Sequence, residues 1–191
     1  MSKYIVGITG ASGSIYGIRL IEELLKAGNE VNIIITNSGS KVMNYETDYD
    51  IDLLLKHLED FGSKVKLNHV DNLFAPTASG SFKTDGMIII PCSMSSLGEI
   101  SNGVSKNLLG RSADVCLKER RKLIIVPRET PFNTIHLKNM VNLSEAGAMI
   151  LPAMPGFYHK PKSVEDLIDF VVGKVLDALD IKNNLFEKWG N

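Results

Sequence analysis

Residues 3–17, KYIVGITGASGSIYG, constrain this chain more than any other stretch. Ile5, Val6 and Ile8 form a short apolar run, the pattern of a strand buried on both faces of a parallel sheet. Gly7, Gly10, Gly13 and Gly17, with serines among them, then lead into a helix expected to run to about Gly28. Glycine lets a backbone approach a ligand, and the first turn of a helix presents unpaired N–H groups carrying partial positive charge. A phosphate would suit that turn. The spacing is G-x-x-G-x-x-G rather than the G-x-G-x-x-G of a dinucleotide site, and the Gly-Lys-Ser/Thr of a Walker loop occurs nowhere. A tight strand-to-helix turn without ligand is the plainer alternative.

The same grammar recurs. Residues 31–36 (VNIIIT) read as a buried strand ending in Thr36-Asn37-Ser38-Gly39, where hydroxyls and an amide stand in place of the acid that holds a ribose in dinucleotide sites. Those residues would also serve as a helix cap. Residues 86–91 (GMIIIP) deliver Cys92-Ser93-Met94-Ser95-Ser96 to a helix. Residues 123–126 deliver Pro127-Arg128-Glu129-Thr130-Pro131, and residues 148–151 lead into PAMPGFYH. Ligands of open parallel sheets bind beyond the carboxyl ends of the strands, so these turns are expected to converge. Cys92 has no basic neighbour in sequence and reads as a small buried residue rather than a nucleophile. Arg128 and Glu129 are either a surface ion pair or part of a site, and their position at a buried strand end favours the site.

Between the strands lie helical segments. Asp48, Asp50, Asp52 and Glu59 imitate a calcium loop, but Leu53 stands where a glycine must turn, so the leucines at 53, 54, 55 and 58 read as a helix with acids in its first turn. Residues 69–81 form a loop with apolar Leu73, Phe74 and Ala75, suited to an interface, a lid or ordinary packing. Residues 107–122 read as a helix with a basic end at Lys118, Arg120, Arg121 and Lys122, and residues 134–143 as a short one. From Ser163 a long amphipathic helix follows, capped by Ser163 and Asp166, with Lys174 bordering its apolar stripe. The tail carries the only tryptophan, Trp189, and residues 181–191 are expected to pack on the body or on a neighbouring subunit.

This alternation specifies an α/β, doubly wound, Rossmann-like (flavodoxin-like) three-layer sandwich with a mainly parallel sheet. A length of 191 residues suits one domain over residues 1–191, and 44% hydrophobic with 23% charged residues is ordinary for a globular chain. The net charge of −1 argues against a nucleic-acid or anionic-membrane partner. Cys92 and Cys116 lack paired spacing, no signal peptide precedes the first strand, and no apolar run is long enough to span a bilayer, so a cytoplasmic setting is expected.

Taken together, GITGASGSIYG (7–17), ETD (46–48), ASGSFKTDGMIIIPCSMSSL (78–97), RSADVCLKERR (111–121), VPRETP (126–131) and PGFYH (155–159) resemble the UbiX-type flavin prenyltransferases, among the flavin-binding cysteine-decarboxylase-like folds. The resemblance implies transfer of a dimethylallyl group from dimethylallyl phosphate to N5 and then C6 of reduced FMN. The prenylated flavin would go to a partner decarboxylase of the UbiD type. It also implies a homododecamer with sites near subunit boundaries. By the same resemblance Gly10, Ala11, Ser12, Thr36, Ser93, Met94, Ser95, Ser96 and Arg128 contact FMN. Tyr158 and Lys174 contact the prenyl phosphate, with Glu46, Arg111, Lys118 and Glu129 nearby. Many relatives carry Ser at Thr36 and Arg at Lys174, and lysine lacks the bidentate fork.

Breaking an allylic C–O bond releases phosphate, so cations must surround the leaving oxygen. The aspartate-rich D-D-x-x-D motif that recruits magnesium in many prenyl transferases does not occur; Arg111, Lys118 and Lys174 would supply the charge without metal, and Tyr158 a hydrogen bond. Ring closure at C6 leaves a proton to remove, for which Glu129, Ser12 and the departing phosphate are candidates and Glu129 is preferred. Three alternatives stand beside this reading. One is an FMN-dependent decarboxylase acting directly on an aromatic acid or cysteine-type substrate. Another is a short-chain dehydrogenase, whose Tyr-x-x-x-Lys would fall on Tyr158 and Lys162 but is broken by Pro161. The last is a flavin carrier that leaves FMN unchanged.

Overall fold

Each apolar run forms a strand, and the strands assemble side by side because their crossovers are helical. The computed structural model describes residues 1–62 and 64–190. In chain order the strands are β1 (Lys3–Ile8), β2 (Glu30–Ile35), β3 (Val65–Leu67), β4 (Gly86–Cys92), β5 (Lys122–Pro127) and β6 (Met149–Ile150). The helices are α1 (Ser14–Lys26), α2 (Asn37–Glu46), α3 (Ile51–Glu59), α4 (Met94–Ser101), α5 (Leu108–Lys118), α6 (Thr134–Glu145) and α7 (Val164–Ala178), with one 3-10 turn at Pro76–Ala78. The sheet order is β3-β2-β1-β4-β5-β6, and every pairing is parallel. Tyr4, Val6, Ile8, Ile88, Ile90, Ile124 and Val126 face one core with α1 and α7, while Ile5, Met87, Ile89, Cys92 and Ile125 face a second core with α4 and α5. Alternate residues of the same strands serve both cores, which is why the runs are apolar throughout. The order reverses between β1 and β4, and that reversal places the crevice.

Several elements differ from the sequence expectation. β3 is a three-residue edge strand that no apolar run announces. α2 begins where Thr36 to Gly39 read as a candidate helix cap and runs to Glu46, a length no sequence pattern marks. α5 stops at Lys118 rather than Lys122, because Arg120 adopts a left-handed conformation (φ 53°) and Lys122 opens β5. The fifth expected run reduces to the two residues of β6. In the loop after β3, Phe74 is fully exposed whereas Ala75 is buried, so only part of that apolar stretch packs inward. Asp50 caps α3 by accepting from Leu53 N, and Ser163 and Asp166 form the expected capping box of α7. In the tail Phe186 is buried and Trp189 stays exposed, edge-on to Tyr158; Asn191 lies outside the described residues. No helix among the described residues is long and apolar enough to cross a membrane.

Candidate active site

The loop after β1 is held at three points, each by a different segment of the rim. Gly13, the N-cap of α1, takes a left-handed conformation (φ 102°) that a side chain would strain. This turn aims the N–H groups of Gly13 and Ser14 at Oε2 of Glu46, at 2.8 and 3.2 Å. The first-turn donors of α1, read from sequence as a phosphate cradle, thus already face a carboxylate. Burial pushes the Glu46 carboxyl up, but hydrogen bonding from Ser12, Gly13 and Ser14 and the charge of Arg128 outweigh it and leave its pKa lowered. Arg128, at the end of β5, donates from Nε to the Ser12 carbonyl at 2.9 Å. Its backbone N–H reaches the Cys92 carbonyl at 3.2 Å.

The third brace is Thr9, which no sequence pattern singled out. It is fully buried directly after β1; its hydroxyl donates to the Pro91 carbonyl at 2.8 Å and accepts from Ser93 N at 2.8 Å. The only signal available was a hydroxyl residue following an apolar run where the core still continues.

Two further helix starts open onto the same rim. Thr36 caps α2, its Oγ1 accepting from Gly39 N at 3.0 Å. Gly10 lies so close to this turn that a Cβ there would sit 2.6 Å from Ser38 Oγ. Ser93 caps α4, accepting from Ser96 N at 3.3 Å, and its hydroxyl also reaches Ser96 Oγ at 3.2 Å. The N–H groups of Asn37, Ser38, Met94 and Ser95 are first-turn donors without a partner among the described residues. Ala11 is buried and Met94 half-buried beside them. Glu129 is half-buried and accepts from Thr130 N at 3.0 Å. Gly10, Ala11, Ser12, Thr36, Ser93, Met94, Ser95, Ser96, Arg128, Glu129 and Glu46 therefore gather along one rim. Cys92, just behind it, is fully buried and its thiol is pushed up to about 12 by burial, which leaves it inert as a nucleophile.

The remaining candidates belong to α5 and to α7 with the loop before it. Arg111 and Lys118 share one stripe of α5, two turns apart, against the loop before β4. Arg111 donates to the Ala78 carbonyl at 3.1 Å and pairs with Asp114 at 2.6 Å, while Lys118 pairs with Glu119 beside Gly80. Tyr158 packs edge-on against Phe170 of α7, 5.6 Å between ring centroids, and Lys174 follows one turn further along that helix. α7 runs alongside α1, tied by Arg19 to Asp169 at 2.7 Å, and ends where Lys122 at the start of β5 binds the Ala178 carbonyl at 2.6 Å. Lys174 is thus about 16 Å along α7 from its cap, toward the amino ends of the strands. Lys118 also lies toward that end, on the opposite helix layer. One subunit unites the flavin-contact candidates with Glu46 and Glu129. Within that subunit Lys118 and Lys174 lie toward the opposite end of the sheet from the rim.

The family described as Flavoprotein matches residues 1–176. The flavin prenyltransferase UbiX of Halalkalibacterium halodurans is 55% identical over 98% of this chain and 93% of its own. The crystal structure of AnUbiX (PadA1), in complex with FMN and dimethylallyl pyrophosphate, superimposes with a TM-score of 0.92 at 39% identity, covering 100% of this chain and 98% of that one. A dodecameric FMN-dependent UbiX-like decarboxylase from Escherichia coli O157:H7 superimposes with a TM-score of 0.91 at 38% identity, over 99% of this chain and 100% of that one. Likeness of this extent, running from the braced loop through the tail, places the chain in the flavoprotein family and, within it, among the UbiX flavin prenyltransferases.

Proposed function

We propose that the protein joins a dimethylallyl group from dimethylallyl phosphate to N5 and C6 of reduced FMN, and that the prenylated flavin passes to a UbiD-type decarboxylase. The observation that carries this reading is the meeting of the β1 loop, the α4 start and Arg128 at the strand-order reversal, in a chain related to UbiX along its whole length. The donor set suits a flavin mononucleotide: unpaired N–H groups and hydroxyls at the starts of α2 and α4 for the phosphate, and Ala11 with Met94 as apolar surface for the ring. FMN supplies the nucleophilic N5 and C6 positions; the chain supplies placement, charge and proton handling.

In this reading Gly10, Ala11, Ser12, Thr36, Ser93, Met94, Ser95, Ser96 and Arg128 hold the flavin. Orientation of the allyl group over the ring replaces most acid–base assistance at N5. Glu129 takes the C6 proton, with Ser12 and the departing phosphate as the alternative acceptors. Tyr158, Lys174, Arg111 and Lys118 draw off the departing phosphate. Since one subunit carries Lys118 and Lys174 toward the amino ends of the strands, neighbouring copies would deliver those cations. The dodecameric state of the E. coli neighbour supports an assembly of that kind here, with each chain of residues 1–191 acting as one flavoprotein domain. The buried thiols suit a reducing, cytoplasmic setting.

Anaerobic incubation with reduced FMN and dimethylallyl phosphate, followed by mass spectrometry of the extracted flavin, tests this function. A flavin heavier by one dimethylallyl group is expected, with loss of turnover in the Glu129→Gln variant while FMN stays bound. Unchanged flavin, accompanied by release of carbon dioxide from an aromatic acid supplied alone, would overturn it in favour of direct decarboxylation.

A further inference from the structure

We infer that Thr9 is a positioning residue that sets the width of the flavin crevice by joining its two walls through one buried hydroxyl. The inference rests on the proposal that FMN occupies the crevice between the β1 and β4 loops. The β1–β4 ladder runs in register from Tyr4↔Gly86 to Gly7↔Ile89 and is irregular between Ile89 and Cys92 on the far side of β4. Pro91 has no N–H to give. Beyond Gly7 the two strands are therefore joined by Thr9 rather than by a continued ladder. Its backbone N–H reaches the Pro91 carbonyl at 3.3 Å, and its hydroxyl donates to the same carbonyl at 2.8 Å. That hydroxyl also accepts from Ser93 N at 2.8 Å. A hydroxyl offers one donor and two acceptor sites, so the donor and one acceptor are both used here.

What this joins is functionally loaded on both sides. The residue after Thr9 begins Gly10-Ala11-Ser12; the residue whose N–H it holds is the cap of α4, and the Ser93 side chain in turn fixes Ser96. A shift of Ser93 moves the whole first turn of α4 relative to the β1 loop. Valine matches threonine in shape but removes both bonds and leaves the part-buried Ser93 N–H without that partner. Serine keeps both bonds and loses only the methyl group. Ser112 provides a comparison: also fully buried, its hydroxyl donates to the Thr77 carbonyl at 3.3 Å, between α5 and the loop before β4 rather than between the β1 and β4 loops.

The experiment is FMN titration and hydrogen exchange on wild type, Thr9→Val, Thr9→Ala, Thr9→Ser and Ser112→Ala. Thr9→Val and Thr9→Ala are expected to weaken FMN about tenfold or more, and Thr9→Ser to stay within about threefold of wild type. Without flavin, the peptide spanning Ser93 and Ser96 should exchange faster in both hydroxyl-less variants, with the Thr77 peptide unaffected. Ser112→Ala should lower the melting temperature without moving the FMN Kd. An unchanged Kd in folded Thr9→Val or Thr9→Ala, or an equal loss in Ser112→Ala, overturns the role of Thr9 alone. If Thr9→Val does not fold, Thr9→Ala carries the same expectation without a branched side chain. Wild type that binds no FMN overturns the flavin reading and this role with it.

Discussion

Glu46 meets the start of α1 with a single carboxylate oxygen, so its ionisation is tied to the shape of the β1 loop. Its pKa is lowered from the ordinary 4.5 on folding. A group depressed in this way contributes stability that is complete above its unfolded value and is lost as the pH falls through the folded one. Wild type should therefore unfold at a higher temperature than Glu46→Gln at neutral pH, and the two melting curves should converge as the pH drops below about 4.5. A gap that persists undiminished to pH 3, read by circular dichroism, would mean that the carboxylate charge does not hold the loop. The hydroxyls and glycines of the rim were legible because they follow apolar runs, and Arg128 because a cation between prolines at a strand end is unusual. Glu46 lies 33 residues from Gly13 in the chain, so its meeting with the α1 start is set by α2 rather than by any local pattern. Thr9 was invisible for a simpler reason: one hydroxyl at the end of a buried strand looks like ordinary strand composition.

At the scale of elements, the contact that fixes the rim is that of α1 on the sheet. A Cβ added at Gly17 would lie 2.5 Å from the Ile90 carbonyl and 2.9 Å from Ile8 Cγ1. The carbonyl belongs to β4 and cannot swing aside, so Gly17→Ala must lift α1 away from the sheet. The expected cost is about 1–3 kcal/mol in urea unfolding, with weaker FMN binding because α1 carries the Ser12–Ser14 turn at its start. An unfolding midpoint equal to wild type would show that α1 has room to spare. Strands β1, β2, β4 and β5 and helix α7 could be read directly, since doubly buried strands and a capped amphipathic helix write their burial into consecutive residues. β3 could not, because Val65–Leu67 is a strand only through its pairing with Val31–Ile33 of β2. α2 starts with Asn-Ser-Gly-Ser, a poor helix sequence that the Thr36 cap and the buried Met43 override. Lys118 to Lys122 carry the charge of one basic helix end, yet Arg120 turns left-handed there and divides the helix from β5.

At the scale of the whole molecule, the two halves of the proposed reaction sit on different parts of one chain. The flavin candidates share the rim, Arg111 and Lys118 line α5 on one layer, and Lys174 lies on α7 on the other, with Tyr158 packed against that helix. Sequence order conceals this, since PRETP and PGFYH are near neighbours in the chain while α7 carries Lys174 back toward the amino ends of the strands. If separate subunits complete each site, a rim variant and an α7 variant are defective in different places. Glu129→Gln and Lys174→Ala should each be inactive alone. Co-expressed, they should form mixed assemblies in which some sites take an intact rim from one subunit and an intact α7 from another. Random mixing then restores about a quarter of wild-type turnover, because each half is intact in about half of the chains and closed symmetric assembly pairs them independently. If one chain supplied both halves, every site in the mixture would still carry a defect and no turnover would return. The measurement is prenylated flavin formed per subunit, with size-exclusion chromatography to establish that the variants assemble together. Restored activity would also show that donor binding depends on assembly, so dilution below the association range should lose turnover before it loses FMN.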